Sequence, residues 1–297
     1  MAQAHAAHDA SRYYIPHDSR WPIVGSVALF LTMSGAVSYL NDWTGPWIFL
    51  PGALLLAYMF FGWFSTVIDE TQRGILDNTQ VDRSFRMGMM WFIFSEVMFF
   101  AAFFAALFYA RILSVPWLGG EGVKIFNSLL LHQGFEATWP TSGPGHVGGR
   151  DDSTFEIIPA FGLPAVNTLI LLSSGVTVTI AHHALRAGHR VQLAIFLAAT
   201  FLLGFLFVGL QAYEYGHAYR ELGLRLDTGI YGSTFFMLTG FHGFHVTIGA
   251  IMLLIIWLRV IRGHFTPRRH FAFEGVAWYW HFVDVVWLGL FVFVYWL

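Results

Sequence analysis

Cysteine is absent from the 297 residues, which excludes disulfides, thiolate nucleophiles and cysteine-ligated metals. Charge is scarce as well: charged residues make up 11% of the chain, against about 25% in soluble domains. The formal net charge of −2 offers no basic surface for nucleic acid. The opening "MAQAHAAHDASRYYIPHDSRWP" lacks a basic stretch followed by an apolar one, so no cleaved signal is expected. No nucleophile–base constellation, phosphate loop or hydrolytic carboxylate pair occurs, and nothing alternates with period two. What fills the sequence instead is apolar bulk: 56% hydrophobic residues, with 31 Phe and 12 Trp, and a mean hydropathy of +0.59.

Crossing a bilayer core takes about 20 helical residues. Seven stretches qualify, near 22–40, 47–68, 87–110, 162–183, 191–213, 232–258 and 274–296. Only a helix satisfies all backbone polar groups within one such segment, so an all-α bundle of seven transmembrane helices is expected. The shorter "VKIFNSLLLHQGF", 123–135, reads as a helix lying on the surface.

Loop charge predicts orientation. The N-terminal side carries Arg12, Arg20, Arg73, Arg83, Arg86, Arg186, Arg190, Arg259, Arg262, Arg268 and Arg269. The opposite side has Arg111, Lys124, Arg150, Arg220 and Arg225, and eleven against five places the N-terminus in the cytoplasm. The polar "DETQRGILDNTQVDRSFR" divides the chain into 1–72, with two helices, and 73–297, with five. An outer segment, 114–160, is long for a bundle connection, and its Gly- and Pro-rich 141–154 reads as a mobile tip. Small residues, as in "GSVALFLTMSGA", permit close helix packing.

Ionisable groups inside the spans are few. Glu96 in "FIFSEVMFF" lies about half way along helix 3, with no partner near it in sequence. His242 and His245 lie near the middle of helix 6, and His281 and Asp284 at comparable depth on helix 7. Each pair is spaced i, i+3 and so shares a helix face, which must point to protein or water. Three readings compete. His242 with His281 has the placement of a bis-His haem site, although the handles of a metal cluster are sparse. The carboxylates and imidazoles also have the chemistry of a proton relay. The plainest reading makes them interhelical hydrogen bonds worth about 0.6 kcal/mol each. That reading leads for the histidines and Asp284, while for Glu96 function and structure weigh equally.

Elsewhere the plain readings lead more clearly. "AHHALRAGHR", 181–190, ends helix 4 with cations that complement its dipole, and a metal site from these residues alone is not expected. Glu214 reads as an interface residue where helix 5 leaves the membrane, and His5, His8 and His17 as solvated. Arg259, Arg262 and "GHFTPRRH" form a basic patch facing the cytoplasmic leaflet, for which attraction of anionic lipid head groups and ordinary positive-inside topology weigh equally.

Several strings together resemble subunit III of the haem–copper cytochrome c oxidases of the bacterial aa3 type. They include "FRMGMMWFIFSEVMFF", "NTLILLSSGVTVTIAHHAL", "GIYGSTFFMLTGFHGFHVTIGA" and "HFAFEGVAWYWHFVDVVWL", in the family's order over nearly the whole chain. The resemblance implies helices 1–2 and 3–7 as two units with a lipid-filled cleft between them, in a bacterial inner membrane. It implies assembly with subunit I, which holds the haems and a copper, and with subunit II, which binds cytochrome c. This chain then binds no cofactor beyond structural phospholipids and meets cytochrome c only through the complex. It supports proton uptake into subunit I, and the cleft lipids are linked to oxygen access. Glu96 matches the family's membrane-buried carboxylate, and Trp63, Arg259 and His264 match positions near lipid head groups.

The sequence also departs from the family pattern. A Trp-Trp-Arg-Asp cluster common at the end of helix 2 is here "GWFSTVIDE", which keeps Trp63 but has Ser65 and Asp69 where bases are common. A paired-His segment is here Leu76 and Asp77. The connections 114–160 and 217–229 are enlarged, as surfaces for a further partner would be. Two other readings stand beside this one. A quinol-oxidase subunit III typically lacks the first two helices, and a stand-alone proton-coupled transporter should show broken helices in paired positions.

Overall fold

Seven helices among the described residues are long and apolar enough to cross a bilayer, and no strand occurs among those residues. The computed structural model describes residues 18–74, 76, 78–145, 147–148 and 154–297. The expectations for His5, His8, His17, Asp77 and part of the 141–154 tip fall outside them. The spanning helices are α1 (Trp21–Leu40), α2 (Phe49–Gln72), α3 (Thr79–Phe108), α4 (Leu163–Ala187), α5 (Arg190–His217), α6 (Gly229–Ile261) and α7 (Phe271–Leu290). Three of them run on into π turns: Tyr109–Ser114 after α3, Ala218–Leu222 after α5 and Phe291–Trp296 after α7.

Helix ends follow local chemistry. Proline occupies the first turn of α1 and of α4, where a missing N–H costs nothing. Gly188 closes α4 in the left-handed region, φ 79°, and α5 starts two residues later. The expected span 87–110 proves longer at both ends, reaching from Thr79 to Leu118. Asn78 Oδ1 accepts the Gln80 backbone N–H at 2.8 Å and so begins α3 early, and an Asp82–Arg86 pair at 2.9 Å supports its polar first turns. The expected surface helix is a short apolar one, Gly122–Leu131, and a turn through Gly134 (φ 82°) stops it before 135.

Internal contacts divide the chain into two compact units, Met1–Met87 and Gly88–Leu297. In the first, α1 and α2 pack at backbone distance. A Cβ on Gly35 would lie 2.5 Å from the Phe49 Cα, and one on Gly52 the same distance from the Thr32 nitrogen. The Trp21 indole N–H donates to Thr66 Oγ1 at 3.1 Å and ties the far ends of the pair together. In lipid the solvent is as apolar as the side chains, so close packing and such bonds hold a pair together.

In the second unit the core centres on α7. Trp280 and Trp287 are fully buried there, and their indole N–H groups donate to Ser174 and Thr168 of α4, each at 2.9 Å. The connection between α3 and α4 is anchored to this unit at several points. Trp139 and Phe155 pack on the Tyr231 ring, with centroids at 5.6 and 5.4 Å, and the Glu156 N–H donates to the Leu222 carbonyl at 2.8 Å.

Candidate functional site

Glu96, near the middle of α3, has a partner 149 residues away in sequence: its Oε2 lies 2.8 Å from His245 Nε2 on α6. Phe99 and Phe100, on the next turn of α3, set their rings 5.9 and 5.0 Å from the imidazole, and Tyr279 stacks at 6.4 Å. Side-chain exposures of 21% for Glu96 and 11% for His245 leave little room for water to screen them.

The geometry constrains the protons. His245 Nδ1 lies 2.6 Å from the Phe241 carbonyl, which can only accept, so Nδ1 carries hydrogen. The Nε2–Oε2 contact is then a hydrogen bond when one proton lies between the two atoms. That proton makes the pair either imidazolium and carboxylate or imidazole and carboxylic acid. Both forms are net neutral, which removes most of the cost of a charge at membrane depth. Passing the proton across 2.8 Å changes the charge distribution without changing the net charge.

The other intramembrane groups are arranged differently. His242 and His245, expected on one face, are engaged by different helices. His242 is fully buried, its Nε2–H donates to the Val283 carbonyl at 3.1 Å, and its ring packs against Phe207 and Trp287. His281 points elsewhere, with 46% of its side chain exposed and Nε2 3.3 Å from Thr179 Oγ1. The bis-His haem geometry is therefore absent: one ring is locked in the core and the other lies at the surface. His281 and Asp284 do come together, at 3.7 Å, and a glycine at 175 leaves the space that the buried Asp284 carboxylate takes.

Of the head-group candidates, Trp63 on α2 is exposed at 47% and stacks on Phe64. Arg259 is tucked in, 8% exposed, with its guanidinium 4.6 Å from the centre of the Phe265 ring. Burial, then the Arg259 and Arg262 charges, lower the His264 pKa, so the positive charge at this end is carried by arginines.

Glu214 corrects an expectation. It is 2% exposed, not an interface residue, because the turn after α7 brings the Tyr295 hydroxyl to its Oε1 at 2.7 Å. Gln211, one turn earlier on α5, donates to the same oxygen at 3.1 Å. The i, i+3 spacing of Gln211 and Glu214 was the available sequence signal, and its partner at the chain's end was not. Tyr295→Phe removes the shorter bond from a buried carboxyl group, and we expect a loss of about 1–3 kcal/mol, read as a lower unfolding midpoint of the full chain in detergent. An unchanged midpoint would show that the cluster contributes nothing to stability.

These features define a class: a multi-pass, all-α membrane protein in which Glu96 and Asp284, two carboxylates within the spans, each lie beside a histidine. A family model described as cytochrome c oxidase subunit III matches residues 11–133 and 134–297. Proteins named cytochrome c oxidase subunit 3 are similar over nearly the full length: 41% identical in Marchantia polymorpha, covering 96% of each chain, and 40% in Carassius auratus, covering 98% of each. The relative from Squalus acanthias is also 40% identical, with 98% of each chain covered. The chain belongs to the cytochrome c oxidase subunit III family. It is an accessory, non-catalytic component of a membrane-embedded oxidoreductase complex of the respiratory chain.

Proposed function

We propose that this chain sustains the turnover of an oxygen-reducing, proton-pumping partner, with the Glu96–His245 pair as its proton-linked element. The 2.8 Å contact between a carboxylate and an imidazole near mid-span is the observation behind this reading. The partners are subunit I, which supplies haem and copper chemistry, and subunit II, through which cytochrome c is met. Long exposed apolar faces support docking among other helices and lipid; Phe61 and Trp91, at 76% and 66% exposure, are examples. Trp63 in one unit, and Arg259 and His264 in the other, are the phospholipid contacts in this reading, on their ring and cation chemistry. The arginine bias supports a cytoplasmic N-terminus. The aa3-type resemblance supports a bacterial inner membrane.

The test is Glu96→Gln in the assembled oxidase. A glutamine amide donates to Nε2 of a neutral His245 and keeps the contact while abolishing the shared proton. The variant complex should therefore assemble and pump at near-normal initial rate, and inactivate after severalfold fewer turnovers. Complete loss of pumping in an assembled complex would make Glu96 an obligatory carrier and contradict the supporting role. An unchanged turnover lifetime would show the pair to be purely structural.

A further inference from the structure

The strongest unassigned feature lies where α4 ends and α7 begins. We propose that His182, His270 and Glu274 form a binding site for a divalent transition-metal ion of the zinc class. Glu274 Oε1 is 3.1 Å from His270 Nε2 and 3.6 Å from His182 Nε2. One donor atom from each of the three lies within 4.8 Å of the others. Two imidazole nitrogens and one carboxylate oxygen make the three-ligand set of an open zinc site, with a fourth position for water. Hard cations prefer an all-oxygen shell, so this set selects against calcium and magnesium.

Spacing and packing agree with that assignment. Donors bound to zinc at about 2.0–2.2 Å in a tetrahedron sit roughly 3.3–3.6 Å apart, close to both Glu–His distances. The widest gap in the set, at most 4.8 Å, has to close by no more than about 1.5 Å, within reach of an imidazole rotation. The His182 Nε2 is buried and makes no hydrogen bond, an arrangement that needs an explanation and that a metal provides. Phe273 packs on the His182 ring at 5.6 Å and holds it toward His270. Side-chain exposures of 28%, 13% and 11% for His182, Glu274 and His270 leave a path for an ion. Arg186, one turn beyond His182, works against a cation, and the Glu274 carboxylate offsets it. A bound ion would clamp the C-terminal end of α4 to the N-terminal end of α7, coupling metal occupancy to stability.

The purified full chain in detergent, stripped with chelator, is dialysed against micromolar Zn2+ alone and its zinc is counted. One zinc per chain is expected, with affinity reduced at least tenfold in His270→Ala and in Glu274→Gln and unchanged in His189→Ala. X-ray absorption of the zinc-loaded unaltered chain needs no variant to fold, and should show two imidazole ligands at about 2.0–2.1 Å. Failure of the unaltered chain to retain zinc would overturn the proposal. So would undiminished binding in both variants, or a spectrum with fewer than two imidazoles.

Discussion

Replacing Trp280 by alanine should lower the stability of the chain by about 3–5 kcal/mol, the cost of truncating a large, fully buried aromatic side chain. The reason is its position. The ring is fully buried on α7 and lies against two glycines on different helices: a Cβ on Gly204 of α5 would be 2.6 Å from it, and one on Gly249 of α6 2.8 Å. Its N–H reaches a third helix, donating to Ser174 of α4 at 2.9 Å. Alanine therefore opens a cavity bounded by α4, α5 and α6 and leaves the Ser174 hydroxyl without its donor. Between helices in lipid, lost packing is the main penalty, because a cavity forfeits dispersion contacts on every side. Trp280→Phe should retain most of the packing and lose the hydrogen bond, falling between. The measurement is the unfolding midpoint of the full chain in detergent. A Trp280→Ala loss below about 1 kcal/mol would show that the core collapses around the gap.

The second large effect is the reverse operation on the first unit. Gly35→Leu places a branched side chain where even a Cβ would meet the Phe49 backbone. Backbone cannot rotate aside as a side chain can, so α1 and α2 must separate along their length. We expect about 3 kcal/mol, the upper part of the overpacking range, accompanied by exposure of Trp21, which is 8% exposed in the intact pair. Tryptophan emission and the unfolding midpoint report both. Gly209→Leu is the control, since a Cβ there meets nothing within 4 Å. Equal behaviour of the two variants would contradict the backbone-distance packing of α1 on α2.

The two variants also mark what was legible in the sequence. Seven spans follow from hydropathy, because a bilayer core demands about 20 apolar residues regardless of tertiary structure. Their ends are less legible: α3 begins eight residues before its expected start, at Thr79, since a helix can extend past the lipid on caps and ion pairs that hydropathy does not register. Small residues in the spans, as in the stretch that contains Gly35, permit close packing, and Gly35 with Gly52 of α2 supplies it. The pairing of Glu96 was out of reach, because its partner is 149 positions away. The i, i+3 rule placed His242 and His245 on one face, yet a face about 60° wide on a central helix borders two neighbours, and the two rings went to different ones. Glu214 looked like an interface residue because distance along a helix measures depth only if nothing folds over its end, and Tyr295 does.

The most direct test of the central claim, an accessory oxidase subunit with no redox centre of its own, is a mild-detergent pull-down of the tagged chain read by a reduced-minus-oxidised visible spectrum. Haem bands should accompany the chain together with two partner chains identified by mass, and should be missing from the chain once those partners are stripped away. Haem that stays with the isolated chain would contradict the account.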